Sequence, residues 1–210
     1  MAEFTFYTVA MSRGQIARWA LHEAAADYDQ TVFDWATKPD DFTRINPMGK
    51  VPALVHHLEG GDQVITEAAA INHYLAETHP HKGLLPDSHE RAAYFRWLFF
   101  AAGPLEQALL AKALDWEVSK ERQMTAGFGS LELTLDAADT WLCDNDFAAG
   151  SRFTMADTYF GSQFVWGLRF GSIPERPAFK AYVERITQRA AYGEANAIDA
   201  KLIEDAAQAS

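Results

Sequence analysis

Residues 53–66, Ala53-Leu54-Val55-His56-His57-Leu58-Glu59-Gly60-Gly61-Asp62-Gln63-Val64-Ile65-Thr66, read as two short strands joined by a tight turn. Branched and apolar side chains favour a pleated surface, and the Gly60-Gly61 pair supplies the backbone freedom that a hairpin turn demands. The two strands must therefore pair antiparallel. Upstream, Phe4-Thr5-Phe6-Tyr7-Thr8 is another strand, and Ser12 to Ala25 turns helical with Ile16, Ala17, Ala20, Leu21 and Ala24 on one stripe. Ser12 stands at its N-cap position. Tyr28 to Trp35 reads as a further strand and Asp40 to Ile45 as a short helix or turn, while a helix from Glu67 to about Thr78 follows the hairpin. Two parallel strands need a helical crossover and a hairpin makes an antiparallel pair, so the order βαβ-α-ββα predicts a small mixed sheet with helices packed on it. This is a thioredoxin-like α/β pattern over residues 1–79.

Residues 80–87, between His79 and Ser88, are rich in proline, glycine and polar side chains and read as a linker. Beyond it the strand signals stop. Phe95, Leu98, Phe99 and Ala102 recur at helical spacing, as do Leu131, Leu135, Ala138 and Leu142, then Phe160, Phe164 and Leu168, and finally Phe179, Tyr182, Val183 and Ile186. Residues 88–210 are expected to form an all-helical domain, with an alanine-rich end, Ala195 to Ser210, that frays. The fold class is α/β followed by all-α.

Composition narrows the functional classes. With 210 residues and 49 % hydrophobic content the chain can bury a substantial core. No segment approaches the roughly 20 apolar residues of a membrane helix, and Met1-Ala2-Glu3-Phe4 lacks the order of a secretory signal, so a cytoplasmic protein without a membrane partner is expected. A formal charge of -11 argues against nucleic acid as a partner, because that binding draws on Lys and Arg neutralising phosphates. The single cysteine, Cys143, reads as a small buried side chain late in a helix. Seven histidines are scattered: His56 and His57 point to opposite faces of a strand, His79 and His81 lie at the linker, and His22, His73 and His89 stand apart, so no metal site is expected.

Four local features then carry a family resemblance. Asn46-Pro47-Met48-Gly49-Lys50-Val51-Pro52-Ala53-Leu54, Thr66-Glu67-Ala68-Ala69-Ala70-Ile71, Gly150-Ser151-Arg152-Phe153-Thr154-Met155-Ala156-Asp157, and Tyr7 with Met11-Ser12-Arg13-Gly14 follow one another in the order found in glutathione transferases, which the chain resembles over essentially its whole length. The resemblance implies that glutathione is the co-substrate and that no metal takes part. A Val51-Pro52 step can hold a cis bond, which disfavours itself by only about 0.5–1 kcal/mol. In the family that geometry presents the backbone of the residue before proline, here Val51, to the cysteinyl part of glutathione. Glu67 and Ala68 stand where a helix begins, and such an end attracts an anion. By resemblance the γ-glutamyl carboxylate docks there and Glu67 takes the amino group. The family commonly has a hydroxyl residue where this chain has Ala68, so one side-chain hydrogen bond is missing. Lys50 and Arg13 complete the glutathione-binding set. Thr154 and Asp157 form a capping box, a structural device for which loss of Asp157 alone costs about 1 kcal/mol.

Glutathione chemistry needs a thiolate near neutral pH. A free thiol titrates at about 8.5, and a shift of about two units corresponds to roughly 2.7 kcal/mol, the size of one hydroxyl hydrogen bond aided by a helix N-terminus. Two hydroxyls compete. Tyrosine-using members place that residue at the end of the first strand, eleven residues before an Arg-Trp pair, as Tyr7 stands to Arg18-Trp19. Serine-using bacterial members have it at the start of the first helix, as in Met11-Ser12-Arg13-Gly14, and this text favours Ser12. No cysteine precedes Cys143, so thiol transfer through a protein sulfur is not expected.

The resemblance further implies a homodimer and an electrophile cleft for which Met11, Trp97, Phe100, Leu105 and Trp116, with Ala101 and Phe164, are candidate lining residues. The substrate would be small and apolar. A glutathione-dependent isomerase or dehalogenase, or a non-catalytic binding protein of the same fold, is the alternative.

Overall fold

The computed structural model describes residues 2–208, so Met1, Ala209 and Ser210 lie outside the described residues. The chain forms two compact units, one of residues up to Gly83 together with those from Arg189 onward, the other Leu84–Gln188.

In the first unit the elements run β1 (Phe4–Thr8), α1 (Gly14–Ala24), β2 (Tyr28–Val32), α2 (Phe42–Ile45), β3 (Ala53–His56), β4 (Gln63–Thr66) and α3 (Ala68–Thr78). The sheet order is β2-β1-β3-β4, with β1 and β2 parallel and the other pairs antiparallel. The expected βαβ-α-ββα order is present, with a thioredoxin-like sheet. Strand alternation divides β1 between two faces: Phe6 turns toward α1, under the Arg18 guanidinium at 5.2 Å, while Tyr7 packs on Phe42 of α2 with ring centroids 5.5 Å apart.

The helix after β1 begins later than expected. Arg13, rather than Ser12, is the flanking residue of α1, although the Ser12 hydroxyl still accepts the Gly14 N–H at 3.0 Å.

The last helix, α9 (Ala190–Gln208), belongs to the first unit, and it is continuous where fraying was expected. Buried charge explains both departures from the sequence expectation. Arg18 of α1 is fully buried, and its Nε donates to Asp199 of α9 at 2.7 Å while Nη1 donates to Tyr28 Oη at 3.1 Å and Gln30 Oε1 at 2.8 Å. Glu23 accepts two hydrogen bonds from Arg189, at 2.7 and 2.6 Å, and one from Trp19 at 2.9 Å. Periodicity registers apolar stripes and is blind to such long-range ion pairs.

In the second unit, α4 (Arg91–Phe100) passes through a five-residue π-turn, Ala101–Leu105, into α5 (Glu106–Ala113), and α6 (Leu131–Asp144), α7 (Met155–Arg169) and α8 (Pro177–Thr187) follow. Pro104 has no N–H to continue the α-helical ladder, which accounts for the wider turn. The buried face of this first helix is Tyr94, Trp97, Leu98 and Ala101, whereas Phe95 and Phe99 are exposed. The expected stripe was thus shifted by one residue, because consecutive aromatics fit two helical phases equally well. Trp97 packs on Phe160, Phe100 and Trp141 at centroid distances of 5.0, 4.9 and 5.6 Å. Cys143 is exposed, contrary to expectation, because Leu135, Ala138 and Leu142 take the inward face of α6.

The capping box at Thr154 and Asp157 starts α7. Asp157 also reaches beyond it: its carboxylate accepts from Ala148 N–H at 2.7 Å, Thr154 N–H at 2.8 Å, Thr154 Oγ1 at 3.1 Å and Tyr182 Oη of α8 at 2.8 Å. Burial outweighs the lowering by the four donors and leaves its pKa raised, at about 6.

Two stability predictions follow from these buried charges. Asp157→Ala leaves buried donors unsatisfied and destabilises the protein by about 3–4 kcal/mol in urea titration, well beyond the cost of a lost cap. Asp199→Ala strands the Arg18 charge, costs about 3 kcal/mol, and exposes α9 to protease before the rest of the chain; equal cleavage of α9 in both proteins would contradict the ion-pair clamp.

Candidate functional site

Strand register builds the site. Tyr7 of β1 stands opposite Ala53 of β3, and Ala53 stands opposite Thr66 of β4. Three segments therefore leave one edge of the sheet side by side: the 9–13 loop after β1, the 46–52 loop entering β3, and the Glu67 turn leaving β4. Tyr7 and Val51 pack on one apolar cluster of Val9, Phe33, Phe42 and Ala53. The structure thus brings Tyr7, Ser12, Val51, Pro52, Glu67 and Ala68 to a common edge.

Ser12 is half-buried, and its hydroxyl donates to the Val9 carbonyl at 2.7 Å while accepting from Gly14 N–H at 3.0 Å. The loop carrying it is pinned by Gln15, whose Nε2 donates to the Ala10 carbonyl at 2.8 Å. Burial, followed by the charges of Asp41 and Asp62, raises the Tyr7 pKa, so its phenol stays protonated at physiological pH and can donate a hydrogen bond. Arg13 is exposed at the head of α1.

Val51-Pro52 is cis. The loop before it is braced by Asn46, a buried side chain that opens the Asn46–Leu54 motif and to which the motif alone gives no role. Its Nδ2 donates to the Lys50 carbonyl at 2.7 Å, and its Oδ1 accepts from Met48 N–H at 3.1 Å. An asparagine opening Asn46-Pro47-Met48-Gly49 was the available signal, since such side chains commonly bond to backbone two to four residues on. Lys50 is exposed with its ammonium 5.6 Å from the Trp35 ring centroid.

Glu67 lies outside α3, which starts at Ala68, and it has φ 67° and ψ 119°. A bulky residue at positive φ is strained, and such residues gather at ligand sites. No side chain caps this end of α3, so its first N–H groups can meet an anion.

The candidate electrophile residues separate by burial. Trp97 and Leu105 are fully buried in the core of the helical unit and offer no surface to a ligand, as are Ala101 and Phe164. Phe100 is half-buried, and Met11 and Trp116 are exposed. Among the described residues, Asp87, His89 and Glu90 bring potential metal ligand atoms within 4.8 Å of one another. Arg152 occupies the Glu90 carboxylate at 3.1 and 2.6 Å, placing a cation where a metal would have to compete. No helix among the described residues is long and apolar enough to cross a membrane.

The first unit thus carries a thioredoxin-like sheet with a cis-proline step, a hydroxyl-bearing loop and a helix end without a side-chain cap, and a helical unit follows it. Comparison with known proteins gives the family. Residues 2–77 match the glutathione S-transferase N-terminal domain and residues 94–190 the C-terminal domain. Glutathione S-transferase 3 of Zea mays is 30% identical, over 91% of this chain and 92% of its own length. A glutathione transferase structure from Methylococcus capsulatus has a TM-score of 0.76 at 29% identity, covering 94% of this chain and 98% of that one. A sphingomonad glutathione S-transferase solved with glutathione has a TM-score of 0.74 at 28% identity, covering 93% and 98%. The chain belongs to the glutathione S-transferase family. It is a glutathione transferase, and its general activity is glutathione conjugation.

If the 46–52 loop holds glutathione, Asn46→Ala weakens binding about tenfold by calorimetry, while addition of the tripeptide still raises the melting temperature at saturation; unchanged affinity would remove Asn46 from the site.

Proposed function

We propose that this transferase binds glutathione along the edge of β1, β3 and β4 and holds its sulfur as a thiolate with the Ser12 hydroxyl, for attack on small apolar electrophiles. The observation that carries the reading is the register Tyr7–Ala53–Thr66, which aligns the Ser12 loop, the cis Val51-Pro52 step and the head of α3. Val51 pairs with the cysteinyl backbone, the free N–H groups at Ala68 and the Glu67 carboxylate take the two ends of the γ-glutamyl group, and Lys50 and Arg13 add positive field. The missing hydroxyl at Ala68 leaves only backbone donors to the γ-glutamyl carboxylate. The thiolate then forms a carbon–sulfur bond with the electrophile, and the leaving group departs or the product carbon takes a proton.

Ser12 supports this role because Gly14 N–H donates to its oxygen, which polarises the hydroxyl as a donor. Its proton rests on the Val9 carbonyl and must turn to the sulfur when glutathione binds. Tyr7 is the second reading, favoured by its protonated phenol and its packing on the cluster that contains Val51. Met11, exposed beside Ser12 on the same loop, supports an apolar electrophile. Exposed Phe95 and Phe99 on α4 and Val64 on the edge strand β4 support the homodimer, which sedimentation tests.

The decisive comparison is titration of the bound thiol, followed by ultraviolet absorbance of the thiolate. In the wild type the midpoint falls about two pH units below the free thiol. Ser12→Ala returns it most of the way and lowers kcat, and Tyr7→Phe leaves it near the wild-type value. A shift confined to the tyrosine variant would transfer the role to Tyr7.

A further inference from the structure

Beneath Ser12 a glycine opens α1. Gly14 is fully buried in the head of the helix. A Cβ at this position would lie 1.9 Å from Thr8 Oγ1, 3.0 Å from Thr8 Cβ and 3.0 Å from Ser12 Oγ. The first distance is a collision, and the others are tighter than ordinary packing. Turning the Thr8 hydroxyl away would leave the close Thr8 Cβ approach in place, because the backbone there is held at the end of β1, its carbonyl accepting Phe33 N–H at 3.2 Å.

Both hydroxyls that crowd Gly14 turn to a single acceptor. Ser12 Oγ donates to the Val9 carbonyl at 2.7 Å and Thr8 Oγ1 to the same oxygen at 3.3 Å. The Gly14 N–H closes the set by donating to Ser12 Oγ at 3.0 Å. The serine oxygen thus receives a hydrogen bond from the same residue whose bare Cα leaves room for it. Glycine in a helix interior or first turn is otherwise unfavourable by roughly 1 kcal/mol relative to alanine, so helix formation does not explain it.

We propose that Gly14 is a positioning residue for thiol activation: by lacking a side chain it lets Thr8 and Ser12 converge on the Val9 carbonyl, and by its N–H it fixes and polarises the Ser12 hydroxyl. It acts through Ser12 and touches neither glutathione nor the electrophile. The inference rests on Ser12 being the activating hydroxyl. It adds that the geometry of that hydroxyl is set by steric fit between residues 8 and 14.

The test is a coupled pair of substitutions read by titration of bound glutathione and by separate kcat and KM values. Gly14→Ala raises the bound-thiol midpoint by about half to one pH unit and lowers kcat about three- to tenfold, with KM for glutathione changing less than kcat. Thr8→Ala alone removes the threonine hydroxyl from the shared Val9 acceptor and is the reference against which the double variant is read. Thr8→Ala combined with Gly14→Ala removes the 1.9 Å collision and restores at least half of the midpoint shift. A merely structural role would lower the melting temperature without moving the titration of the bound thiol. If Gly14→Ala does not fold, the double variant is compared with Thr8→Ala: the 3.0 Å approaches to Ser12 Oγ and to the Cβ of residue 8 remain and still predict a raised midpoint, of smaller size. An unshifted midpoint in Gly14→Ala, or in the double variant where Gly14→Ala does not fold, overturns the proposal, as does a shift in Gly14→Ala that the Thr8 substitution fails to relieve. Ser12→Ala separates the two levels. If it leaves the midpoint unmoved, the serine reading fails; if it moves the midpoint and the Gly14 variants do not, only the role of Gly14 is lost.

Discussion

The register of three neighbouring strands is the constraint on which the site depends. Tyr7, Ala53 and Thr66 lie level across the sheet, so the chain segments that continue from β1, lead into β3 and leave β4 must emerge together. Slipping one strand by a residue would send its side chains to the opposite face and part the Ser12 loop from the Val51-Pro52 step. The β3–β4 hairpin fixes one register through its tight turn, in which Gly61 at φ 110° adopts a conformation that most side chains resist. The other is fixed by Phe4 and Phe6, which must face the α1 side while Tyr7 faces Phe42.

Around that edge polar side chains hold irregular backbone in place. Buried Asn46 binds two backbone groups of the loop before β3, and half-buried Gln15 binds the loop after β1, replacing hydrogen bonds that regular structure would have made. Glu67 stays at positive φ where β4 gives way to α3. The same device operates at larger scale elsewhere. Arg18 with Asp199 and Glu23 with Arg189 attach α9 to the first unit, and Asp157 joins the start of α7 to Tyr182 of α8. Loss of one partner in such a group is costly because the other remains desolvated.

Much of the fold was legible because short-range rules govern it. Alternation marked β1 and the hairpin, helical spacing marked α1, α6, α7 and α8, and a threonine and aspartate three apart marked the capping box. The failures share a cause, which is dependence on distant partners. Nothing local signals that Arg18 meets Asp199, so the packing of α9 within the first unit is not legible from spacing. The aromatic run Tyr94 to Phe100 fits two phases, and only packing of Trp97 on Phe160 selects one. For the site, Tyr7, Ser12, Val51 and Glu67 were visible as residue types at motif spacing. Asn46 and Gly14 were missed because their meaning lies in what their atoms touch. Burial likewise removed Trp97 and Leu105 from the candidates for contact with an electrophile.

The most direct measurement is a crystal structure of the protein with glutathione bound. The geometry described above predicts the tripeptide sulfur within hydrogen-bonding reach of Ser12 Oγ, its cysteinyl backbone paired with Val51, and its γ-glutamyl carboxylate on the first N–H groups of α3. A tripeptide seated away from this sheet edge, or a sulfur out of reach of both Ser12 and Tyr7, would contradict it.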